Sequence, residues 1–257
     1  MIVDTVGVGG SNNQADVRTT QRLVNFMNPP SRLGVDGLYG SNTGKGIVWA
    51  QQQIGGSAAV DGLLEPGDPH VAGMVVRVPS NLTLDTVGLI FSNARLPLVE
   101  KYWAHLEPAM MRYEINTPMR QAHFLSQIGH ESGELRYNEE LATGAAYEGR
   151  GDLGNTEAGD GVRFKGRGLI QLTGRANYTS YGHYRGLNLT DGDNPKQVAD
   201  DPDMAVDAAC WFWKTRGINA LADRDDVRSV TRRINGGTNG LDDRIRLLQR
   251  ARTVLRA

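Results

Sequence analysis

Glu131 and Glu140 stand nine positions apart in the stretch IGHESGELRYNEEL, residues 128–141. Two carboxyl groups at a cleft, one protonated and one ionised, are what glycoside hydrolysis requires: the first protonates the leaving oxygen and the second activates water or attacks the sugar. Inverting enzymes hold the pair ~6.5–9.5 Å apart and retaining enzymes ~5–5.5 Å. Nine residues of non-helical chain reach either separation, so the spacing leaves the stereochemistry open. Two glutamates alone are also a weak signal, since most such pairs are solvated surface charges. Glu139, Glu148 and Asp152 compete for the second role, and Glu134 reads as a loop charge.

The element that must position Glu131 is legible. Thr117 supplies a hydroxyl cap and Pro118 a ring already set at helical φ. From there Ala122, Leu125, Ile128 and Gly129 fall near one face, with Phe124 beside them, until Gly133 permits a stop. Glu131 then lies in the last turn, where the negative end of the helix raises the cost of ionisation. Apolar walls are expected to raise it further and keep a proton there near neutral pH. His123, His130 and Glu131 invite a zinc reading, but the spacing is not the His-Glu-x-x-His of a helix-borne site, and His70, His105 and His183 show no paired spacing. No metal and no cofactor is expected, and His130 is expected to orient a loop. Gly166, Gly168, Gly236 and Gly237 would let backbone approach a bulky sugar. Tyr147, Phe164 and Tyr178 are candidate stacking faces, although burial in the core is the commoner fate of each.

The order of HES, YEGRGDLGNTEAGDGVRFKGRGLIQLTGRANY and RINGGTNGLDDR, over about residues 120–250, resembles the lysozyme-like glycoside hydrolases of family 19. Within that family the likeness is closer to bacteriophage endolysins than to plant chitinases. The resemblance implies Glu131 as general acid and Glu140 as the second catalytic carboxylate; Glu148 is kept as the alternative base. It implies that Gln171, Thr173, Asn177 and Asn235 line the sugar cleft, with Tyr147 and Arg167 added as substrate contacts. Arg244 resembles a family arginine that orders the carboxylates, and His130 is placed with it as support. Thr173 stands where the chitinases commonly carry Ser, which keeps the hydroxyl. The chitinases' disulfide cysteines and the aromatic insertions between the carboxylates are missing.

A mainly α fold in two parts is expected: a small helical module over residues 1–75, a linker over 76–97 and a larger lysozyme-like domain over 98–257. The first part contains an echo, VDGLYG at 35–40 and VDGLLEPG at 60–67, each reading as a tight Asp-Gly turn. Asp16 is expected to cap a helix carrying Val17, Thr20, Leu23, Val24 and Met27. Ser41 or Asn42 would start a second, with Ile47, Ala50, Gln51 and Ile54 on one side. Over residues 10–70 this order resembles the small peptidoglycan-binding module that accompanies many cell-wall hydrolases.

The chain carries 28 Lys and Arg against 29 Asp and Glu, with 5 cations and 6 anions in residues 1–80. That balance argues against a nucleic-acid binder and suits a neutral polymer. The single Cys210, in AACWFWK, excludes an intramolecular disulfide framework and reads as a buried core thiol. The start, MIVDTVGVGG, lacks the pattern of a signal peptide, and no run approaches the ~20 apolar residues of a membrane span. Leu241, Ile245, Leu248, Ala251 and Leu255 form a stripe read as a docked helix, with a membrane-surface role as the rival reading.

The resulting expectation is a monomeric endolysin made in the host cytoplasm and released to the periplasm and wall by a separate holin. It would bind and cut bacterial peptidoglycan, with no nucleic-acid partner and no stable membrane insertion. Chitinase, or a wall-binding structural protein without activity, are the alternatives.

Overall fold

The computed structural model describes residues 1–56 and 58–257. They form two compact units, Met1–Glu100 with Gln249–Ala257, and Lys101–Leu248.

The first unit holds β1 (Val6–Gly7), α1 (Gln14–Met27), α2 (Ser41–Ile54), β2 (Leu63–Leu64), α3 (Pro69–Val75) and α4 (Leu84–Ile90). β1 and β2 pair antiparallel, with Val6 opposite Leu64. The two VDGL segments become one structural device used twice. Asp36 Oδ1 accepts from the Leu38 amide at 2.9 Å and from Gln21 Nε2 at 2.8 Å, while Gln21 Oε1 accepts from the Gly37 amide at 3.0 Å. Asp61 Oδ1 likewise accepts from the Leu63 amide at 3.0 Å and from Gln51 Nε2 at 3.1 Å, and Gln51 Oε1 accepts from the Gly62 amide at 2.9 Å. Each turn is thus clamped by a buried glutamine from the preceding helix, Gln21 on α1 and Gln51 on α2. Gly37 and Gly62 take φ of +81° and +76°, which a side chain would resist.

Two expectations for this unit change. Asn13, not Asp16, caps α1; its side chain accepts from the Asp16 amide, while buried Asp16 accepts from the Val3 and Asp4 amides and ties down the N-terminal segment. Residues 76–97, expected as linker, contain α4, started by a Thr83–Thr86 capping box and buried at Val87, Leu89 and Ile90. Arginines secure its far end: Arg250 Nε donates to Leu89 O at 2.8 Å and Arg18 Nε to Ser92 O at 3.0 Å, placing cations where the helix dipole is negative. Gly88 leaves room for the buried Arg22 guanidinium, whose pKa burial pushes down.

The second unit contains α6 (Pro118–Glu131), α7 (Asp160–Arg163), α8 (Arg175–Arg185), α9 (Gln197–Asp200), α10 (Pro202–Thr215), α11 (Asn219–Ala222) and α12 (Val227–Asn235). Between the units' sequences run α5 (Leu96–Arg112) and α13 (Leu241–Leu255), each of which contributes residues to both. The fold is mainly α. α10 is buried from Met204 to Trp213 and so is apolar nearly all round, as a central core helix must be. Trp213 meets Phe124 of α6 edge to face at 5.3 Å, which fixes α6 on that core. Cys210 lies fully buried there, and burial holds its thiol well above the ordinary range, as a core thiol rather than a nucleophile. Asp207 is also buried; it accepts from the Tyr113 and Tyr181 hydroxyls, each at 3.0 Å, and pairs with Arg185 at 2.9 Å.

Residues 142–168 are mostly turns and single helical turns. They are held by a fork on buried Asp160, with Arg175 Nε and NH2 meeting its two oxygens at 2.8 and 2.6 Å. The Arg175 guanidinium also lies over the Phe164 ring.

Candidate active site

α6 begins as the sequence implies, with the Thr117 side chain accepting from the Arg120 amide and Pro118 in its first turn. Glu131 is its last residue. The Arg244 guanidinium, 1% exposed, donates through NH2 to Glu131 Oε1 at 2.5 Å and through NH1 to Gln127 Oε1 at 2.7 Å. Gln127 precedes Glu131 by one helical turn and shares its face. Where apolar walls are expected beside Glu131 the structure places a buried cation against it, and the Glu131 side chain keeps 16% of its surface exposed. Oε1 is anchored, while Oε2 has no hydrogen-bond partner among the described residues.

Arg244 is itself positioned. Its Nε donates to Asn239 O at 3.3 Å, and the Asn235 side chain shapes that loop, donating to Asn239 O at 3.1 Å and accepting from the Gly237 amide at 2.9 Å. Asn235 thus braces the arginine's loop with both ends of its amide. His130 bonds Asp243 at 2.7 Å, and its ring lies so close to Gly240 that a Cβ there would collide with it. Burial alone would push the Asp243 carboxyl up, but hydrogen bonds from His130 and Arg246, with their charges, bring it below the usual range. His130 and Asp243 join the end of α6 to the start of α13.

Between the carboxylates the chain turns sharply. Gly133, Glu134 and Leu135 have φ of +56°, +57° and +71°, and Glu134 and Leu135 are buried, a concentration of strained backbone that the surrounding packing must enforce. Glu134 is therefore part of the turn's interior and no solvated loop charge, with Arg246 at 3.8 Å.

Glu140 is held mainly by backbone. Its amide donates to Gly166 O at 2.9 Å, the Gly166 amide donates to Oε2 at 3.1 Å, and the Tyr147 hydroxyl donates to Oε1 at 3.1 Å. Burial, the nearby Glu140 charge and this hydrogen bond raise the Tyr147 pKa, so the phenol remains a donor. On the other side of Gly166 lie Gln171 and Thr173; a Cβ at 166 would stand 2.9 Å from Gln171 Oε1 and 3.3 Å from Thr173 Oγ1. Gly166 thus lets a carboxylate, an amide and a hydroxyl converge. Gln171 takes φ +55°, with Nε2 donating to Gly168 O, and Thr173 Oγ1 donates to Gln171 O. Asn177 donates to Thr173 O and accepts from Arg216.

Other candidates lie elsewhere. Arg167, expected to contact substrate, is 3% exposed and is held by Glu139 at 3.0 Å, Arg163 O at 2.8 Å and the Tyr178 hydroxyl at 3.1 Å, so its donors serve the fold. Phe164 and Tyr178 are fully buried with ring centres 5.4 Å apart, which makes them core. Both Glu148 oxygens accept backbone amides, Gly159 at 2.6 Å and Gly161 at 2.8 Å, so Glu148 closes a loop instead of facing a water. Asp152 is paired with Arg150, and Glu139 with Arg167 and Lys165. Sequence reasoning missed Gln127, although its i, i+4 relation to Glu131 was available, and Asp243. Among the described residues no group of three or more His, Cys, Asp or Glu could hold a metal ion, and no helix is long and apolar enough to cross a membrane.

A family model described as chitinase class I matches residues 121–228. A glycosyl hydrolase family 19 domain-containing protein of Haemophilus influenzae is 36% identical over 160 residues, 50% of this chain and 76% of that protein. The chain belongs to glycoside hydrolase family 19. It is a chitinase-like member, and an endochitinase of Arabidopsis thaliana is 36% identical over 116 residues, although these are only 39% of that protein's length and 45% of this chain. Chitinase C from Streptomyces griseus HUT6037 shares the fold, with a TM-score of 0.57 at 23% identity over 68% of this chain and 92% of the other. The family 19 match takes in Glu131, Glu140, Gln171, Thr173 and Asn177 and ends before Asn235 and Arg244.

Proposed function

We propose that this family 19 glycoside hydrolase is a phage endolysin that cuts the β-1,4 glycan strand of bacterial peptidoglycan by general acid/base catalysis. The observation that carries the reading is the way the two glutamates are held. Arg244 anchors one oxygen of Glu131 and leaves the other open to protonate a leaving oxygen. Each oxygen of Glu140 has one donor, from Tyr147 or Gly166, so a lone pair on each remains to take a proton from water. Gln171, Thr173 and Asn177 are neutral amides and a hydroxyl, suited to sugar hydroxyl and acetamido groups.

The first unit supports wall binding. Its tandem VDGL clamps bear the resemblance to a peptidoglycan-binding module, and it has an open groove of about 700 Å³ lined in part by Tyr39, Trp49, Asn42 and Lys45. In this reading the protein is made in the host cytoplasm and reaches the wall after a holin opens the membrane.

Mass spectrometry of digested sacculi tests the proposal. New reducing-end aminosugars with stem peptides and cross-links intact are expected, whereas new peptide or amide ends on an uncut glycan would contradict it. The endochitinase relatives favour a second reading, chitin hydrolysis. Cleavage of chitin oligosaccharides without any attack on sacculi would select that reading.

A further inference from the structure

The second unit has another open pocket, of about 740 Å³, beside the Glu139–Arg167 bridge, one residue along the chain from Glu140. Its lining has Arg163, Lys165, Arg167 and Lys196 against Glu139 and Asp193, an excess of two positive charges in a chain whose net charge is −1. Glu139 is held by Arg167 and Lys165, and Asp193 by Lys196 at 2.8 Å. Arg163 is exposed and makes no ion pair among the described residues. Between these charges Val162 presents an apolar surface, 53% exposed, and Pro195 completes the wall.

The pocket adjoins the Glu140 site. Consecutive residues of an extended segment face opposite ways, and the contacts here do so: Glu140 meets Tyr147 and Gly166, whereas Glu139 meets Arg167 and Lys165. Lys165 joins the two sides, its ammonium donating to Glu140 O at 3.0 Å. A neutral polysaccharide has no use for an excess of cations one residue from its cleft. A glycan whose sugars carry short peptides with free carboxylates and aliphatic side chains does, and three or four extended residues span about 10–14 Å, while the pocket's Glu139 is the chain neighbour of Glu140.

We infer that the pocket lined by Arg163 and Lys196 receives the carboxylate-bearing stem peptide of peptidoglycan and makes the enzyme prefer peptide-substituted glycan to bare glycan. This rests on the peptidoglycan reading above. The test compares kcat/KM on soluble glycan strands bearing stem peptides with kcat/KM on the same strands stripped by an amidase. The wild-type protein is expected to favour the substituted strands. In the double variant Arg163→Ala/Lys196→Ala that ratio is expected to fall about tenfold, mainly through KM, the size two partly exposed ion pairs support. Arg163→Lys should retain the ratio, and raising the salt concentration should lower it in the wild type by screening. An unchanged ratio in a double variant with wild-type Tm would overturn the inference, as would equal wild-type rates on both strands, which leave the peptidoglycan reading standing. Wild-type protein that cleaves neither strand but cuts chitin oligosaccharides would remove the reading and the inference together.

Discussion

Glu131 closes a 14-residue helix and is gripped by an arginine 113 residues further along the chain, whereas Glu140 lies on an irregular segment and is gripped largely by one backbone amide and one tyrosine. The difference teaches how each position is specified. For Glu131 the information resides in side chains: Gln127, Arg244, Asn235 and the His130–Asp243 bond all act on the end of α6. For Glu140 it resides in backbone shape, because Gly166 donates to it, accepts from it and still leaves space for Gln171 and Thr173. Substitutions near the first should act through charge, and those near the second through geometry.

The largest expected effect is at Glu131. Glu131→Gln removes the proposed proton donor but keeps the shape and, on the peptidoglycan reading, should lower kcat at least about 10³-fold with the fold retained. Glu140→Gln should follow, losing about 10²-fold or more, since the amide cannot accept water's proton in the same way. Gly166→Ala sharpens the contrast. Its new methyl group would stand 2.9 Å from Gln171 Oε1 and 3.3 Å from Gln171 Cβ and Thr173 Oγ1 and meets no backbone atom among these, so the protein should fold while Gln171 and Thr173 shift, with kcat/KM down about tenfold.

The helix carrying Glu131 was legible because Thr117, Pro118 and the apolar spacing are local signals, and helical period then dictates which turn holds the glutamate. The surroundings of both glutamates were not. Arg244 reaches Glu131 across 113 residues, and the Glu139–Arg167 bridge pairs segments 28 apart, so nothing local announces either. Arg167, expected as a substrate contact, is drawn inside by Glu139 and Tyr178, partners 28 and 11 residues away. The stretch 76–97 looked like linker although the capping box at Thr83 and the apolar run after it were there to be read. The VDGL echo was visible as a repeat of turns, but the glutamine clamps that make it structural come from helices 10 and 15 residues upstream of each aspartate.

The smallest effect concerns the bond beneath Glu131. The folded pKa of Asp243 lies below its unfolded value, so its contribution is fully present above the unfolded value, near 4, and is lost as pH falls through the lower folded one. With 41% of its side chain exposed, Asp243→Asn should cost under about 1 kcal/mol at pH 7, a cost that shrinks as pH falls below about 4, read from Tm measured against pH.

The division of labour between the two glutamates is tested most directly with a leaving group that needs no proton. Activities of Glu131→Gln and Glu140→Gln are compared on a natural glycan and on an aryl glycoside with a strongly acidic phenol. A donor at 131 and a water-activating base at 140 predict that the aryl substrate restores most of the rate to Glu131→Gln and little to Glu140→Gln. Equal rescue of both variants, or rescue of Glu140→Gln alone, would contradict the account.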